Sequence, residues 1–150
     1  MIRRAKPTDF LAVAALDRDA WSENREATFI PDGEHAWRLW CEHGIVVVQE
    51  DGDRVLGAAL AFPTLSGTFC LHKIFVDRSC RGGGVGTQLM EQILAAIDEQ
   101  AVDCFLTVDP QNEAAIRLYE SFGFIERVYV NGYYRESEDR FVLTRPKQKG

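Results

Sequence analysis

The sequence predicts a mixed α/β layer fold, built as a single domain from residues 1–150. Two observations support this prediction. The spacing of apolar residues switches between the helical period of 3.6 and the strand period of 2 several times along the chain. In addition, the stretch "RGGGVG" at residues 81–86 joins an apolar strand to an apolar helix, as a crossover connection would.

The amino-acid composition argues against several classes of function. The chain carries 17 basic and 23 acidic residues, a net charge of −6, which argues against a nucleic-acid partner and fits a cationic substrate. None of its 4 cysteines forms a C-x-x-C pair, so we expect reduced thiols. The longest apolar run, residues 55–62, is too short to cross a bilayer. We therefore expect a cytoplasmic protein without a membrane partner.

The first third of the chain predicts one strand and two helices. Residues 2–5 resemble a short strand, and Pro7 can open a helix whose apolar side carries Phe10, Val13, Ala14 and Leu16. Residues 20–32 lack a clear period and are predicted to be mainly loop. The stretch "EHAWRLWCEHG" has helical spacing and ends at a glycine, a common helix stop.

The remainder predicts six strands and two helices. The stretches "IVVVQE", "RVLGAALAF" and "TFCLHKIFV" form a meander, joined first at Asp51-Gly52-Asp53 and then at "LSG". The glycine stretch then leads into a helix that extends to about residue 100. The strand "VDCFLTVD", the helix "PQNEAAIRLYESFG" and an aromatic hairpin follow, and residues 145–150 are predicted to fray.

The glycine stretch predicts an anion-binding loop. A tight turn needs one or two glycines, a phosphate-binding P-loop needs a Lys that is absent here, and the dinucleotide fingerprint fails on spacing. Without side chains, backbone N–H groups can approach a phosphate closely, and the following helix directs its positive end at the same place. Arg81 adds a positive charge.

The spacing Arg81-x-x-Gly84-x-Gly86, after a strand and before a helix, resembles the acetyl-CoA loop of the GCN5-related N-acetyltransferases, whose pattern is [Q/R]-x-x-G-x-[G/A]. A second stretch, "NEAAIRLYESFGF", is similar to the downstream helix of that family. The resemblance covers nearly the whole chain and is weakest over residues 18–44.

This resemblance implies a central mixed sheet that splays near its middle, flanked by helices, with acetyl-CoA as co-substrate in the splay and no metal. Backbone of the strand before the loop would pair with pantetheine, the loop would hold the pyrophosphate, and Asn112 would touch the pantetheine arm. The implied coenzyme-binding residues are Ile74, Phe75, Val76, Arg81, Gly82, Gly83, Gly84, Val85, Gly86, Thr87 and Asn112.

The resemblance also implies acetyl transfer to a primary amine by direct attack on the thioester. Tyr119 is the candidate acid for the leaving thiolate, because the family places a tyrosine there beside the coenzyme sulfur; packing alone also accounts for it. A backbone N–H near Phe75 or Val76 is the candidate donor to the oxyanion.

His72 is the candidate base, since histidine is the residue type most often used for proton transfer and "LHKIFV" is similar to "LHSLAV" of serotonin N-acetyltransferases. Strand alternation predicts that Cys70, His72, Ile74 and Val76 share one side. Where other members use a glutamate, this chain has Cys70 and Thr107. Glu23, Glu26 or a water chain are the alternatives to His72, and a buried structural histidine is the alternative role.

Several questions stay open at this stage. The acceptor is either a small cationic amine or a peptide N-terminus or lysine, and a non-catalytic acyl-CoA sensor is the rival function. Dimers are common in the family. Cys41-x-His43 and Cys70-x-His72 resemble a zinc pattern, but the first pair diverges on a helix. Tyr129, Tyr133 and Tyr134 resemble peptide-holding tyrosines of ribosomal-protein alanine N-acetyltransferases, and Trp21, Trp37 and Trp40 are candidates for an acceptor wall.

Overall fold

A seven-stranded sheet in the order β1-β2-β3-β4-β5-β7-β6 forms the centre of the computed structural model, which describes residues 1–23 and 30–149. All neighbours pair antiparallel except β4 and β5, which are parallel. The strands are β1 (Ile2–Arg4), β2 (Ile45–Asp51), β3 (Arg54–Pro63), β4 (Phe69–Val76), β5 (Cys104–Val108), β6 (Glu126–Val130) and β7 (Arg140–Arg145). The predicted mixed α/β sheet is therefore confirmed.

In the described residues, four α-helices cover the two faces of this sheet. They are α1 (Phe10–Glu23), α2 (Glu34–His43), α3 (Val85–Glu99) and α4 (Glu113–Ser121). Short 3-10 turns at Pro7–Asp9 and Arg78–Cys80 precede α1 and the glycine stretch. Pro7 thus opens a 3-10 turn instead of the helix itself. The predicted loop at 20–32 is partly wrong, because α1 continues to Glu23.

Each sheet face has its own apolar core. The buried side of α3, with Leu89, Ile93 and Ile97 fully enclosed, packs with α4 residues against one face. On the other face, Val13 of α1 and Trp37 of α2 pack against the sheet, and both are fully buried. The predicted apolar side of α1 is confirmed, apart from Phe10, which is only partly buried.

The parallel pair β4–β5 is held together only at its beginning. Its register contains two partners, Phe69↔Cys104 and Cys70↔Phe105, after which the strands no longer pair. The rest of β4 faces a widening gap, while β5 stays paired with β7 over its full length. This is the splay that positions the candidate site.

The last strand is anchored at its end. Arg145 is buried, its guanidinium binds both carboxylate oxygens of Asp98, and its Nε donates to the carbonyl of Phe122 at 2.8 Å. The Lys147 N–H donates to Asp103 at 2.7 Å. The prediction that the chain frays from residue 145 is therefore wrong at Arg145 and Lys147. Among the described residues, no helix is both long and apolar enough to span a bilayer.

Candidate active site

Two adjoining cavities occupy the splay. One, of about 460 Å³, extends from His72 past β5 to the hairpin residues near Tyr134, and the other, of about 520 Å³, extends from β4 over the glycine loop. Both are lined by Ile74, Phe75 and Tyr119. We call the first the acceptor cavity and the second the loop cavity. Groups bound in the two cavities would meet at these three shared residues.

The glycine loop presents unpaired backbone donors to the loop cavity. The first helical hydrogen bond of α3 runs from Gln88 N–H to Gly84 O at 3.0 Å, so the N–H groups of Val85, Gly86 and Thr87 have no acceptor within the helix. Gly82 and Gly84 have φ of +83° and +81°, in the left-handed region that favours glycine. The positive end of α3 therefore opens onto the cavity beside Arg81.

A closely bound ligand accounts for the glycine at position 86 better than backbone conformation or packing does. It lies in the first turn of α3 without a positive φ, and an added Cβ would meet only Val76 Cγ2, at 3.9 Å. Glycine inside a helix costs up to about 1 kcal/mol relative to alanine. Neither backbone conformation nor packing against the described residues requires glycine here, whereas a phosphate approaching the backbone would exclude a large side chain.

The ladder between β3 and β4 determines which amides face the splay. Asp77 N–H donates to Leu56 O at 2.7 Å, and the antiparallel pattern alternates, so Phe75 also directs its N–H toward β3. Ile74 and Val76 then direct their N–H and C=O groups to the opposite edge, where β4 has no partner strand. Of the two candidate oxyanion donors, the geometry therefore favours Val76 over Phe75.

Tyr119 lies on α4 at the junction of the cavities. Its ring is edge-on to Phe124, with 6.1 Å between centroids, and burial raises the pKa of its hydroxyl above the ordinary value of 10.0. The phenol is therefore protonated at neutral pH and suited to donate a proton, as the acid role requires.

Asn112 is the N-cap of α4. Its side-chain oxygen accepts from Ala115 N–H at 3.2 Å, which leaves the amide nitrogen as the group available to a ligand. It lines the acceptor cavity and does not line the loop cavity.

His72 occupies a bulge of β4. The register passes from Leu60↔Lys73 to Ala61↔Leu71, so His72 has no partner on β3. Its ring packs beside Trp40 and Phe62, at 5.5 and 5.7 Å between centroids, on the α1/α2 side of the sheet. Ile74 and Val76 pack on the other side, against the α3 core. The expectation that these three residues share one side is wrong, because the extra residue shifts the alternation.

Beside His72 lies a cluster of charges that the sequence reasoning missed, and its members Asp32 and Lys73 line the same cavity. His72 Nε2 is 3.1 Å from Asp32 Oδ2, and Lys73 Nζ lies 2.9 Å from the same oxygen and 2.9 Å from Asp17 Oδ2. Lys73 also donates to the carbonyl of Ile30 at 2.6 Å, and Trp37 Nε1 donates to Asp17 at 3.1 Å. Asp17 is fully buried and Lys73 is nearly so.

Asp32 stays ionised in this cluster. Burial by itself would raise its pKa, but hydrogen bonds from His72 and Lys73, together with the charge of Lys73, outweigh burial and lower the pKa below its ordinary value. A carboxylate thus lies directly against the candidate base.

The sequence did carry a signal for the cluster. Asp17 stands at a core position of α1, three and four residues after the buried Ala14 and Val13, and Lys73 stands between apolar residues of β4. A charge at a core position usually has a buried partner of opposite sign. What could not be read locally is that these two positions, 56 residues apart, are each other's partners.

The β6–β7 hairpin closes the far side of the acceptor cavity. Tyr134 OH is 2.7 Å from Thr107 Oγ1, and Arg140 lies over the Tyr134 ring at 5.2 Å. Tyr133 packs edge-on to Tyr134 at 4.7 Å, whereas Tyr129 is turned away and donates to Asp139. Of the three predicted tyrosines, only Tyr134 lines the cavity.

The tryptophans do not line it. Trp37 is fully buried in the α1/α2 core, and Trp40 stacks on Phe62 at 5.9 Å beneath His72, so the predicted tryptophan wall is wrong for these two residues. Trp21 is not among the residues that line either cavity.

Cys70 and Thr107 are poor bases, and Glu23, Glu26 or a water chain stay as alternatives to His72. Burial raises the pKa of Cys70 to about 11, so its thiol is neutral near pH 7, and Thr107 is hydrogen-bonded to Tyr134. Glu26 lies outside the described residues, and Glu23 is the last residue of α1. Within residues 1–23 and 30–149, no three His, Cys, Asp or Glu side chains are arranged to hold a metal ion.

Comparison with known proteins agrees with this geometry. The model of the acetyltransferase (GNAT) family matches residues 10–124. An N-alpha-acetyltransferase of Sulfurisphaera tokodaii is 29% identical over an alignment that covers 97% of this chain and 92% of that protein. The ribosomal protein bS18 alanine N-acetyltransferase of Escherichia coli K12 is 35% identical over 51% of this chain and 54% of that protein.

Solved structures agree in fold. The ribosomal-protein alanine N-acetyltransferase of E. coli superposes with a TM-score of 0.79 at 24% identity, covering 100% of this chain and 95% of that chain. Diaminobutyrate acetyltransferase of Paenibacillus lautus, solved with its small amine substrate and coenzyme A, has a TM-score of 0.74 at 19% identity, covering 100% and 96%. The same architecture thus serves both protein and small-molecule acceptors.

Proposed function

Since this chain belongs to the acetyltransferase (GNAT) family and is an N-acetyltransferase, we propose that it transfers the acetyl group of acetyl-CoA to the α-amino group of a peptide or protein N-terminus. The observation that carries the proposal is the pair of adjoining cavities that meet at Ile74, Phe75 and Tyr119. One offers backbone donors for a diphosphate, and the other offers a base for an amine.

The loop cavity fits acetyl-CoA, which supplies an activated acetyl thioester. The N–H groups of Val85, Gly86 and Thr87 would hold the pyrophosphate, since those of Arg81 and Gly83 already donate to Arg78 O and Cys80 O. The unpaired β4 edge at Ile74 and Val76 would hydrogen-bond the pantetheine amides as an added strand does. Gly86, which nothing within the chain requires to be glycine, supports this assignment. The amide nitrogen of Asn112 would contact the arm from the acceptor side.

The chemistry needs one base, one acid and one donor to the carbonyl oxygen. His72 takes a proton from the ammonium, directly or through water, and the neutral amine attacks the thioester carbon to form the C–N bond. Val76 N–H stabilises the negative charge on the carbonyl oxygen. Tyr119 donates its proton to the sulfur as the C–S bond breaks, so the products are the acetylated amine and free coenzyme A.

Two observations favour a peptide over a small amine. A relative that aligns over nearly the whole chain is an N-alpha-acetyltransferase. The acceptor cavity also continues from His72 to the hairpin, where Tyr134, Arg135 and Glu138 line it. These groups offer hydrogen bonds and both charges to peptide groups beyond the first residue, which a small amine would not reach.

A matched acceptor panel tests the proposal by coenzyme A release and product mass. One peptide has a free N-terminus and no lysine. The second differs from it only in a blocked N-terminus and in one internal residue replaced by lysine. The third acceptor is a short diamine. We expect acetylation of the first peptide with the highest kcat/KM. Preference for the blocked peptide or the diamine would refute the α-amine assignment while leaving the acetyltransferase intact.

The non-catalytic sensor makes a different prediction for the same assay. It would bind acetyl-CoA, seen as a rise in Tm, without turning over any acceptor. Varying the first residue of the free peptide then maps its preference, because a residue that clashes with Tyr134 or Glu138 should raise KM without changing the affinity for acetyl-CoA.

A further inference from the structure

We propose that Asp32 is a positioning residue for the base: it selects the tautomer of His72 and fixes its ring, and it is itself held by the buried Lys73–Asp17 pair. This inference rests on the proposed function, in which His72 takes the proton of the amine. It adds to that function a residue from the loop before α2, outside the strand and helices that carry the coenzyme motifs.

The hydrogen bond between Asp32 and the imidazole ring determines the tautomer of His72. His72 Nε2 lies 3.1 Å from Asp32 Oδ2, and the carboxylate can only accept. Neutral His72 therefore carries its proton on Nε2, and the lone pair is on Nδ1. Nδ1 is then the atom able to accept a proton, and the acceptor cavity is the space that His72 lines.

Asp32 is itself held rigidly. Its Oδ2 also contacts Lys73 Nζ at 2.9 Å, and its backbone N–H donates to Asp17 Oδ2 at 2.9 Å. Lys73 also donates to Ile30 O. Both ends of the short segment 30–32 are thus tied to α1 and β4, and the side chain of Asp17 is 0% exposed. A surface ion pair would not restrain a loop in this way.

Other groups also surround the ring. Trp40 of α2 and Phe62 of β3 both pack against the imidazole, so the ring has limited freedom to rotate away from Asp32. Among the described residues, Asp32 and Lys73 are the charged groups beside the ring, while Asp109, Arg135, Glu138 and Arg140 line the same cavity from its far side.

Net charge supports the same role. With neutral His72, the cluster of Asp17, Asp32 and Lys73 carries one excess negative charge, and proton uptake by His72 brings the cluster to zero. The carboxylate therefore stabilises the imidazolium that forms when the amine is deprotonated, as the third member of a catalytic triad does. The negative charge of Asp32 stabilises the imidazolium, and the hydrogen bond to Nε2 fixes the position of that charge relative to the ring.

The test compares Asp32→Asn, His72→Ala and the double variant, with Glu34→Gln as matched control. Glu34 is two residues away and exposed, and it pairs with Arg18 at 3.8 Å without touching His72. We expect Asp32→Asn to lower kcat by about 10- to 100-fold, the rate equivalent of one hydrogen bond to a charged group, with unchanged acetyl-CoA affinity. His72→Ala should lose about 10²- to 10⁴-fold, and the double variant no more than His72→Ala alone.

A second readout is independent of turnover. Nitrogen-15 NMR of the histidine rings reports the tautomer, and we expect Nε2–H for His72 in the wild type and in Glu34→Gln, with a mixture in Asp32→Asn. A purely structural role would lower the Tm of Asp32→Asn without changing the tautomer, and that result would overturn the inference.

The outcomes distinguish a failure of the base assignment from a failure of the positioning role. If His72→Ala is fully active, the base assignment in the proposed function is wrong, and the role of Asp32 falls with it. If His72→Ala is impaired while Asp32→Asn is not, or if the two losses multiply in the double variant, the base stands and only the positioning role is refuted.

Discussion

Replacing Lys73 by methionine tests the buried charge cluster directly. The substitution keeps an unbranched side chain, shorter only by the terminal nitrogen, but leaves the carboxylate of Asp17, 0% exposed, without its cation. Two donors remain, Trp37 Nε1 at 3.1 Å and Asp32 N–H at 2.9 Å. They satisfy one oxygen and carry no full charge, so the carboxylate stays buried and unpaired.

Two independent routes give the same magnitude. Breaking a buried ion pair by removing one partner typically costs about 3–5 kcal/mol. A stranded carboxyl can instead bind a proton, which at pH 7 costs about 4 kcal/mol for a group with an ordinary pKa near 3.9. We therefore expect the free energy of unfolding to fall by about 4 kcal/mol, and Tm to fall by roughly 8–16 °C for a chain of this size.

Urea unfolding followed by circular dichroism measures this loss, with the exposed Lys147→Met as control, expected within about 0.5 kcal/mol of wild type. The loss in Lys73→Met should shrink as pH falls toward 4, because protonation removes the buried charge. Adding Asp17→Asn should restore more than half of the stability, since the amide can accept from Trp37 and Asp32 without a charge. A loss below about 1 kcal/mol, or a double variant weaker than either single variant, would refute the reasoning.

Three further predictions concern the reaction. Tyr119→Phe should lower kcat by about 10²-fold or more while leaving acetyl-CoA affinity intact, and equal rates in both proteins would remove the acid role. Because burial raises the Tyr119 pKa, the wild type should not lose kcat to Tyr119 ionisation between about pH 7 and 9. Gly86→Val should weaken acetyl-CoA binding at least about tenfold, whereas Gly86→Ala should not, and titration calorimetry measures both affinities. Gly84 is the poorer position for this test, since a side chain at its φ of +81° would add backbone strain. Thr107→Val removes the partner of Tyr134 and should raise the peptide KM about three- to tenfold, near 1 kcal/mol, and a change in acetyl-CoA affinity instead would contradict the division into two cavities.

Sequence reasoning predicted the elements well because the signals that define them are local. The period of apolar residues identified α3 and the β2–β4 meander, and Gly44 and Gly123 marked the helix ends. The glycine loop was also local: its residues are consecutive, and its function depends on the absence of their side chains.

Side-chain orientation on β4 could not be predicted in the same way. Alternation is regular only while each residue faces one partner, and the bulge at His72 breaks it. Nothing in "FCLHKIFV" marks that position as a bulge, because the pairing with β3 is what creates it. The sequence therefore identified His72 as a candidate and misjudged the side of the sheet from which it works.

The amino-acid sequence by itself determined the family, the order of helices and strands, and the glycine loop, since each depends on residues close together in the chain. Only the tertiary structure decided which charges meet beside His72. Asp17, Asp32 and Lys73 belong to a helix, a loop and a strand, and their contact depends on how α1 and the segment before α2 pack on the sheet. Burial then makes that contact strong, because charges removed from water must find each other or be neutralised.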